Sequence, residues 1–240
     1  KVSDNISVLE LFHGPTLAFK DVGARFLARV MAYFADYGGK SINVLAATSG
    51  DTGSAVANGF LGVPNVYVHV LYPHGLVSKL QELQFTTLGK NVTAYEVSGV
   101  FDDCQRTVKE AFMDQKLNAE KILTSANSIN LARFLPQSVY YFHALAQIPK
   151  EKWSQTVISV PSGNFGDITA GLIAYKMGMP VKRFIAAINA NRVFADYLAT
   201  GNYKPQPSVA TIANAMDVGD PSNFARVLEL FGGSVGNMRK

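Results

Sequence analysis

The sequence contains very little cysteine and no long apolar segment. Cys104 is the only cysteine among 240 residues, so no disulfide can form within the chain, as is usual for proteins of a reducing cytosol. No apolar run reaches the length that a membrane-spanning helix needs. We therefore expect a cytoplasmic protein with neither a membrane partner nor a secretory signal peptide.

Charged residues are also scarce, at 17% of the chain, and lysine and arginine together number 22 against 18 acidic residues. The basic residues are scattered, without the runs typical of nucleic-acid-binding arms, so we expect no nucleic-acid partner. The mild positive excess would suit a small anionic ligand. The four histidines, His13, His69, His74 and His143, lack the spacing of a metal site, and we expect no metal.

Strand and helix patterns alternate along nearly the whole chain. The predicted strands are mostly continuous apolar runs: "SINVLAA", "NVYVHVLYP", "NVTAYEVSG", "TVISV" and "RFIAAIN". Continuous runs, in contrast to alternating ones, favour parallel sheets covered by helices on both faces. The sequence therefore predicts an α/β fold, with a second series of strand–helix units beginning near Ile148.

The stretch "TVISVPSGNFGDITAGL" predicts a strand that ends in a glycine loop and opens a helix. Between them lie Ser162, Gly163, Asn164, Phe165 and Gly166. The N–H groups of such a loop, together with the positive end of the helix, form a site for a phosphate. The loop has neither a P-loop lysine nor a GxGxxG pattern, so a nucleotide is not indicated. A turn that needs glycine only for its geometry remains the alternative.

A second loop, "LAATSGDTGSA", has the same position between a strand and a helix. Thr48, Ser49, Thr52 and the N–H groups of this turn could bind another anion, such as a carboxylate. The alternative is an ordinary helix start capped by Ser49 or Asp51.

One lysine follows an apolar run and directly precedes a predicted helix. Lys20 comes after Leu17-Ala18-Phe19, and the helix is indicated by apolar residues at every fourth position: Val22, Phe26, Val30 and Phe34. Apolar surroundings disfavour the ammonium form, and a neutral amine can attack an aldehyde. Pyridoxal 5′-phosphate carries both an aldehyde and a phosphate, so it would suit Lys20 and the glycine loop together. A lysine that extends into solvent is the alternative.

Five motifs follow one another in an order that resembles a known family: "HGPTLAFKD", "TSGDTG", "SANSIN", "VPSGNFGD" and "NAMDVG". The set is similar to the threonine synthases of the bacterial and fungal type, which are fold type II pyridoxal-phosphate enzymes. Chains of that family are longer at both ends, so we expect a central fragment. The resemblance implies two open, mainly parallel-sheet α/β domains with helices on both faces. Residues 42–147 would form the smaller domain, and residues 1–41 and 148–240 would belong to the larger, cofactor-binding one.

The resemblance also implies an activity and a role for most of these residues. The reaction is that of a carbon–oxygen lyase, which converts O-phospho-L-homoserine and water to L-threonine and phosphate in the last step of threonine biosynthesis. Lys20 would bind the cofactor aldehyde and then act as the general base, and residues 162–166 would bind the cofactor phosphate. The "TSGDTG" loop would grip the substrate carboxylate. Asp51 would contact the cofactor, at a position where relatives often have an asparagine beside the ring hydroxyl.

The substrate's own phosphate needs a separate binding site, and "SANSINLARF" offers one. Asn127, Ser128 and Arg133 could converge on that phosphate, since the arginine fork pairs with two phosphate oxygens. A capping Asn or Ser and a solvent-facing Arg are the alternatives.

We expect a monomer or a homodimer. Two other functions remain open: a related lyase such as a serine or threonine dehydratase, and a non-catalytic binder of phosphate or cofactor.

Overall fold

The computed structural model describes residues 1–38, 41–127 and 130–239. The chain forms two compact units, Lys1–Arg133 and Phe134–Lys240. The assignment of residues 1–41 to the larger domain of the complete protein stays a prediction. Among the described residues, none of the helices combines the length and the apolar character needed to cross a membrane.

The first unit contains a four-stranded parallel sheet with the strand order β3-β2-β1-β4. The strands are β1 (Ile42–Ala47), β2 (Val66–Pro73), β3 (Val92–Val97) and β4 (Ile122–Ser125). The helices are α1 (Lys20–Gly38), α2 (Asp51–Gly59), α3 (Lys79–Thr86), α4 (Phe101–Met113), α5 (Gln115–Glu120) and α6 (Leu131–Phe134), the last at the boundary between the units. Strand β4 was not predicted from the sequence, because its four residues, "ILTS", are too few to form an apolar run.

Strand β1 explains why the apolar runs are continuous. Val44 and Ala46 belong to a core cluster with α1 and α2, while Leu45 and Ala47 pack with Cys104 of α4. Because successive side chains of a strand point to opposite faces, burial of all four shows that both faces of the sheet are covered. The predicted parallel α/β fold is confirmed in this unit.

The buried face of α1 is not the apolar stripe that indicated the helix. Val22, Phe26 and Phe34 are 48%, 47% and 63% exposed, while the core takes up Leu27 and Ala28. Ala24 of α1 and Gly59 of α2 have little or no side chain, which lets the two helices approach closely. A Cβ atom added to Gly59 of α2 would lie 3.1 Å from the Ala24 Cβ atom.

The second unit contains β5 (Val157–Pro161) and β6 (Arg183–Ala187), which pair in parallel. Its helices are α7 (Ser138–Ala146), α8 (Gly166–Lys176), α9 (Val193–Thr200), α10 (Phe224–Leu230) and α11 (Val235–Arg239), with 3₁₀ turns at Leu135–Gln137, Lys150–Gln155 and Asn214–Met216. Helix α8 is buried along most of its length. Gly171 lies where a Cβ atom would be 2.7 Å from the rings of Tyr141 and Phe184, so only glycine permits this packing.

Candidate functional site

Lys20 forms a largely buried ion pair. It is the first residue of α1, and its Nζ atom lies 2.5 Å from Oδ2 of Asp51, the first residue of α2. The two side chains are only 15% and 20% exposed, so their attraction is less weakened by water than that of a surface pair. The sequence pattern predicted an apolar setting for Lys20 and gave no sign of this carboxylate. No local pattern connects two residues that lie 31 positions apart.

The loop before α1 is held by the residue after Lys20. Asp21 is buried and accepts hydrogen bonds from the Thr16 backbone N–H at 3.0 Å and the Thr16 hydroxyl at 2.5 Å. A Cβ atom on Gly14 would lie 2.2 Å from Asp21 Oδ2, so glycine is required there. Asp21 is the second residue of α1, so its carboxylate connects the start of this helix to the preceding loop.

The loop between β1 and α2 is organised by Thr48. Its buried hydroxyl accepts hydrogen bonds from the N–H groups of Gly50 at 3.0 Å and Gly53 at 2.8 Å. Gly50 has a φ of 144°, a conformation that side-chain-bearing residues avoid. Thr48 therefore stabilises the helix start itself, while Ser49 is exposed and Thr52 half-buried. The predicted contact of these three residues with a substrate carboxylate stays a prediction.

Asn127 lies at the same edge of the sheet. Its Nδ2 atom donates to the Ala47 carbonyl at 2.9 Å, directly before Thr48 in the chain. Its Oδ1 atom is buried and has no hydrogen-bond partner among the described residues. Buried polar atoms are nearly always hydrogen-bonded, so this acceptor is suited to a ligand donor. Ser128, predicted to act with Asn127, lies outside the described residues.

Arg133 is 2% exposed, which excludes a solvent-facing role for its side chain. Its Nη1 atom donates to the backbone carbonyl of Ala126, the residue that precedes Asn127. The guanidinium group therefore contacts the segment that carries the predicted phosphate ligands. Its own contact with a phosphate stays a prediction.

The glycine loop of the second unit turns sharply from β5 into α8. Ser162 extends the strand pairing by donating its N–H to the Ala187 carbonyl at 2.7 Å. Phe165 is buried in the left-handed conformation, with φ 62° and ψ 13°, and α8 begins at Gly166. A left-handed residue followed by right-handed ones aims successive N–H groups at a common point, where an anion can bind. The first N–H groups of α8 add to this site, because they have no acceptor within the helix.

A segment to which sequence analysis gave no role packs against this loop. A Cβ atom on Gly163 would lie 2.5 Å from the Cα atom of Met216, within the "NAMDVG" motif. The Oδ1 atom of Asn164 accepts the Ser222 N–H at 2.6 Å, and the Asn164 carbonyl accepts Nδ2 of Asn223 at 2.9 Å. The Asn164 amide oxygen is thus occupied in supporting the loop, and its predicted cofactor contact stays a prediction.

Two other potentially reactive side chains, those of Cys104 and His69, lie in surroundings that suit a structural role. Burial raises the pKa of the Cys104 thiol, which makes it a poor nucleophile. Burial also lowers the pKa of His69, whose ring contacts the Tyr95 hydroxyl at 3.2 Å and Asn43 Oδ1 at 3.1 Å. No group of three or more His, Cys, Asp or Glu side chains within the described part of the chain is placed to hold a metal ion.

Comparisons with known proteins agree on one family. The family model described as "Pyridoxal-phosphate dependent enzyme" matches residues 4–240. The chain is 56% identical to a threonine synthase of Serratia marcescens over 231 residues, which are 96% of this chain and 53% of that protein. It is 44% identical to the threonine synthase of Saccharomyces cerevisiae, over 94% of this chain and 46% of that one.

Solved structures give the same result. The crystal structure of threonine synthase from Escherichia coli matches with a TM-score of 0.90 and 53% identity, covering 97% of this chain and 54% of that one. A structure of PLP-bound threonine synthase from Brucella melitensis matches with a TM-score of 0.87 and 41% identity, covering 100% and 52%. The chain thus spans about half the length of the relatives that it matches.

Proposed function

This chain belongs to the pyridoxal-phosphate dependent enzymes, as its motifs indicated, and we propose that the protein containing it is a threonine synthase. The proposed reaction converts O-phospho-L-homoserine and water to L-threonine and phosphate. The identity of 56% with a threonine synthase supports this choice within the family. The structural observation that carries it is the pairing of Lys20 with Asp51 at two adjoining helix starts.

The described residues fit pyridoxal 5′-phosphate as the cofactor. Lys20 provides a primary amine for its aldehyde, and the N–H groups around Phe165 and Gly166 suit its phosphate. The buried Oδ1 atom of Asn127, which has no hydrogen-bond partner in the described part of the chain, is an acceptor for a further ligand donor. When bound, the cofactor supplies an electron sink that makes the hydrogen on the substrate's α-carbon acidic.

Proton transfer falls to Lys20 in this proposal, and Asp51 supports it. As a general base, the free Lys20 amine takes the proton from the substrate's α-carbon, releases it to water, and only then takes a proton from the β-carbon. Protons return to the α- and γ-carbons later, so that the net reaction consumes only water. Each transfer leaves an ammonium ion on Nζ, which the Asp51 carboxylate at 2.5 Å stabilises by charge. The carboxylate also limits the positions that the Lys20 side chain can take. Asp51 thus acts by orienting Lys20, in addition to any contact with the cofactor.

Binding of the substrate is assigned to the two loops at the carboxyl edge of the first unit's sheet. The N–H groups at the start of α2, with Ser49 and Thr52, would hold its carboxylate. Asn127, through the second hydrogen on its Nδ2 atom, would hold the substrate's phosphate together with Ser128 and Arg133, where Arg133 offers charge and a fork of donors. Asn127 links the two loops through its hydrogen bond to Ala47.

The proposal also places the protein in the cytoplasm, as a monomer or a homodimer. Cys104 is a buried, free thiol, as expected for a protein that folds in a reducing compartment.

Substrate preference tests the proposal directly. The full-length protein, loaded with pyridoxal phosphate, is supplied with O-phosphohomoserine, and threonine and phosphate are both measured. Equal release of the two supports a threonine synthase. Turnover of free serine or threonine instead would identify a dehydratase. Tight cofactor binding without turnover of any of these substrates would identify a non-catalytic binder.

A further inference from the structure

Asp217 of the "NAMDVG" motif accepts hydrogen bonds from three side chains and a backbone N–H. Its Oδ1 atom accepts from Asn189 Nδ2 at 2.7 Å, from the Thr211 hydroxyl at 2.7 Å and from Asn191 Nδ2 at 3.3 Å. Its Oδ2 atom accepts the Thr211 backbone N–H at 2.7 Å. We call these four residues the Asp217 network. It ties the loop that contains Thr211 to the chain just beyond β6.

A carboxylate is chemically suited to this position. It is an acceptor with about four lone-pair sites and no hydrogen to donate, and the Asp217 network presents four donors to it. Hydrogen bonds to a charged acceptor are also stronger than neutral ones. An asparagine of the same size would offer one oxygen and would turn an NH₂ group toward a donor. The network therefore depends on the charge of Asp217 and not only on its shape.

The network continues into the glycine loop through the backbone. Met216 precedes Asp217, and its Cα atom occupies the space in which Gly163 would carry a Cβ atom, at 2.5 Å. On its other side the loop is joined to β6, since Ser162 donates to the Ala187 carbonyl. Asn189 lies two residues after Ala187 and is itself bound to Asp217. The loop at residues 162–166 thus lies between two segments that the Asp217 carboxylate connects.

We propose that Asp217 is a positioning residue that holds the loop at residues 162–166 in the conformation that binds the cofactor phosphate. It acts through the Met216 backbone and the end of β6, without touching the cofactor. The inference rests on the proposed function, in which this loop binds that phosphate. A loop already held in its bound conformation loses less conformational entropy on binding, and the gain appears as affinity.

The test compares pyridoxal phosphate with pyridoxal, two compounds that both carry the aldehyde. The affinity for pyridoxal phosphate divided by that for pyridoxal, which we call the affinity ratio, isolates the phosphate contact. Equilibrium dissociation constants are measured for the cofactor-free, full-length protein and its Asp217→Asn variant. We expect Asp217→Asn to weaken pyridoxal phosphate by about tenfold or more, with less than about a twofold change for pyridoxal. The affinity of Asp217→Glu, which keeps the carboxylate, for pyridoxal phosphate should lie between those of the wild type and Asp217→Asn.

Asp220→Asn is the matched control, because it removes the same charge three residues later. Asp220 is exposed, and its carboxylate accepts a hydrogen bond from the Tyr203 hydroxyl at 2.7 Å, outside the Asp217 network. The affinity ratio of the Asp220→Asn variant should equal that of the wild type. If Asp217→Asn fails to fold, Thr211→Val removes one hydroxyl from the Asp217 network and should lower the same ratio by a smaller factor.

Three results would count against these ideas, and they can be told apart. Equal losses for pyridoxal phosphate and pyridoxal in Asp217→Asn would show a general structural role and overturn the inference. Unchanged affinities for both compounds in Asp217→Asn would overturn it as well. A wild-type protein that binds neither compound would instead overturn the proposed function.

Discussion

Lys20 Nζ lies 2.5 Å from Asp51 Oδ2, which joins the first residue of α1 to the first residue of α2. An N-terminal position favours a carboxylate and disfavours an ammonium group, because the helix dipole is positive there. A position at a helix start therefore stabilises the Asp51 carboxylate, and the Lys20 ammonium group relies on that carboxylate to offset the helix dipole.

Lys20 should carry the cofactor. Borohydride reduction of the loaded, full-length protein should fix pyridoxal phosphate to the peptide that contains Lys20, as detected by mass spectrometry. Lys20→Ala should lower kcat by at least about a thousandfold, since it removes the proposed general base. Lys79→Ala is the control, because Lys79 also opens a helix and pairs with a carboxylate, that of Glu82, but is exposed. A label on another lysine would refute the assignment.

Asp51→Asn should destabilise the cofactor-free protein. The asparagine keeps the size of Asp51 and removes the charge that compensates the largely buried Lys20 ammonium group. We expect the free energy of unfolding to fall by about 1–3 kcal/mol in urea denaturation. Glu82→Gln, which breaks the pair with the exposed Lys79, should lower the free energy of unfolding by clearly less than Asp51→Asn does. Equal costs in the two variants would mean that burial adds nothing to the Lys20–Asp51 pair.

Gly163→Ala should lower the stability of the folded protein even in the absence of the cofactor. Its Cβ atom would meet backbone atoms of Met216, which cannot turn aside as a side-chain end could. We expect a loss of about 1–3 kcal/mol in the free energy of unfolding, with a lower affinity for pyridoxal phosphate. Gly236→Ala, whose Cβ atom would have its nearest neighbour at 3.6 Å, should be tolerated. If Gly163→Ala keeps wild-type stability and loses only affinity, the glycine serves the phosphate alone.

Arg133→Ala should affect phosphate recognition more than formation of the cofactor complex. We expect a loss of about 2–4 kcal/mol in kcat/KM for O-phosphohomoserine, with partial recovery in Arg133→Lys, which keeps the charge without the fork. Because Arg133 is buried, stability must be measured beside activity. Arg106→Ala removes an exposed arginine that pairs with Asp103 and serves as the control.

Inhibition by inorganic phosphate separates the two roles of Arg133. Phosphate should compete with the substrate in the wild type and bind at least about tenfold more weakly to Arg133→Ala. Equal inhibition of both proteins would make Arg133 a structural residue and transfer the phosphate contact to Asn127 or Ser128.

Several features of the fold followed from local sequence alone. The run "INVLAA" has no polar alternation, and a strand of that kind is stable only where both of its faces are covered. The glycine loops at residues 48–53 and 162–166 were identified because strand-to-helix turns need backbone conformations that glycine adopts easily. The helix that starts at Lys20 was recognisable from its apolar period. These features depend on residues within a few positions of one another.

Only the tertiary structure decided which of these local features meet. The period of α1 did not show that Leu27 and Ala28, and not Phe26 and Phe34, would be buried, because the choice depends on the close approach of α2. Asn164 and Asn223 are 59 positions apart and join through one hydrogen bond. Propensity and periodicity act along the chain, whereas such pairs form only when the packing of whole elements brings them together. The sequence alone therefore identified Lys20 and the glycine loop as candidates, and the folded chain added the Asp51 carboxylate beside Lys20 and the Met216 backbone beside Gly163.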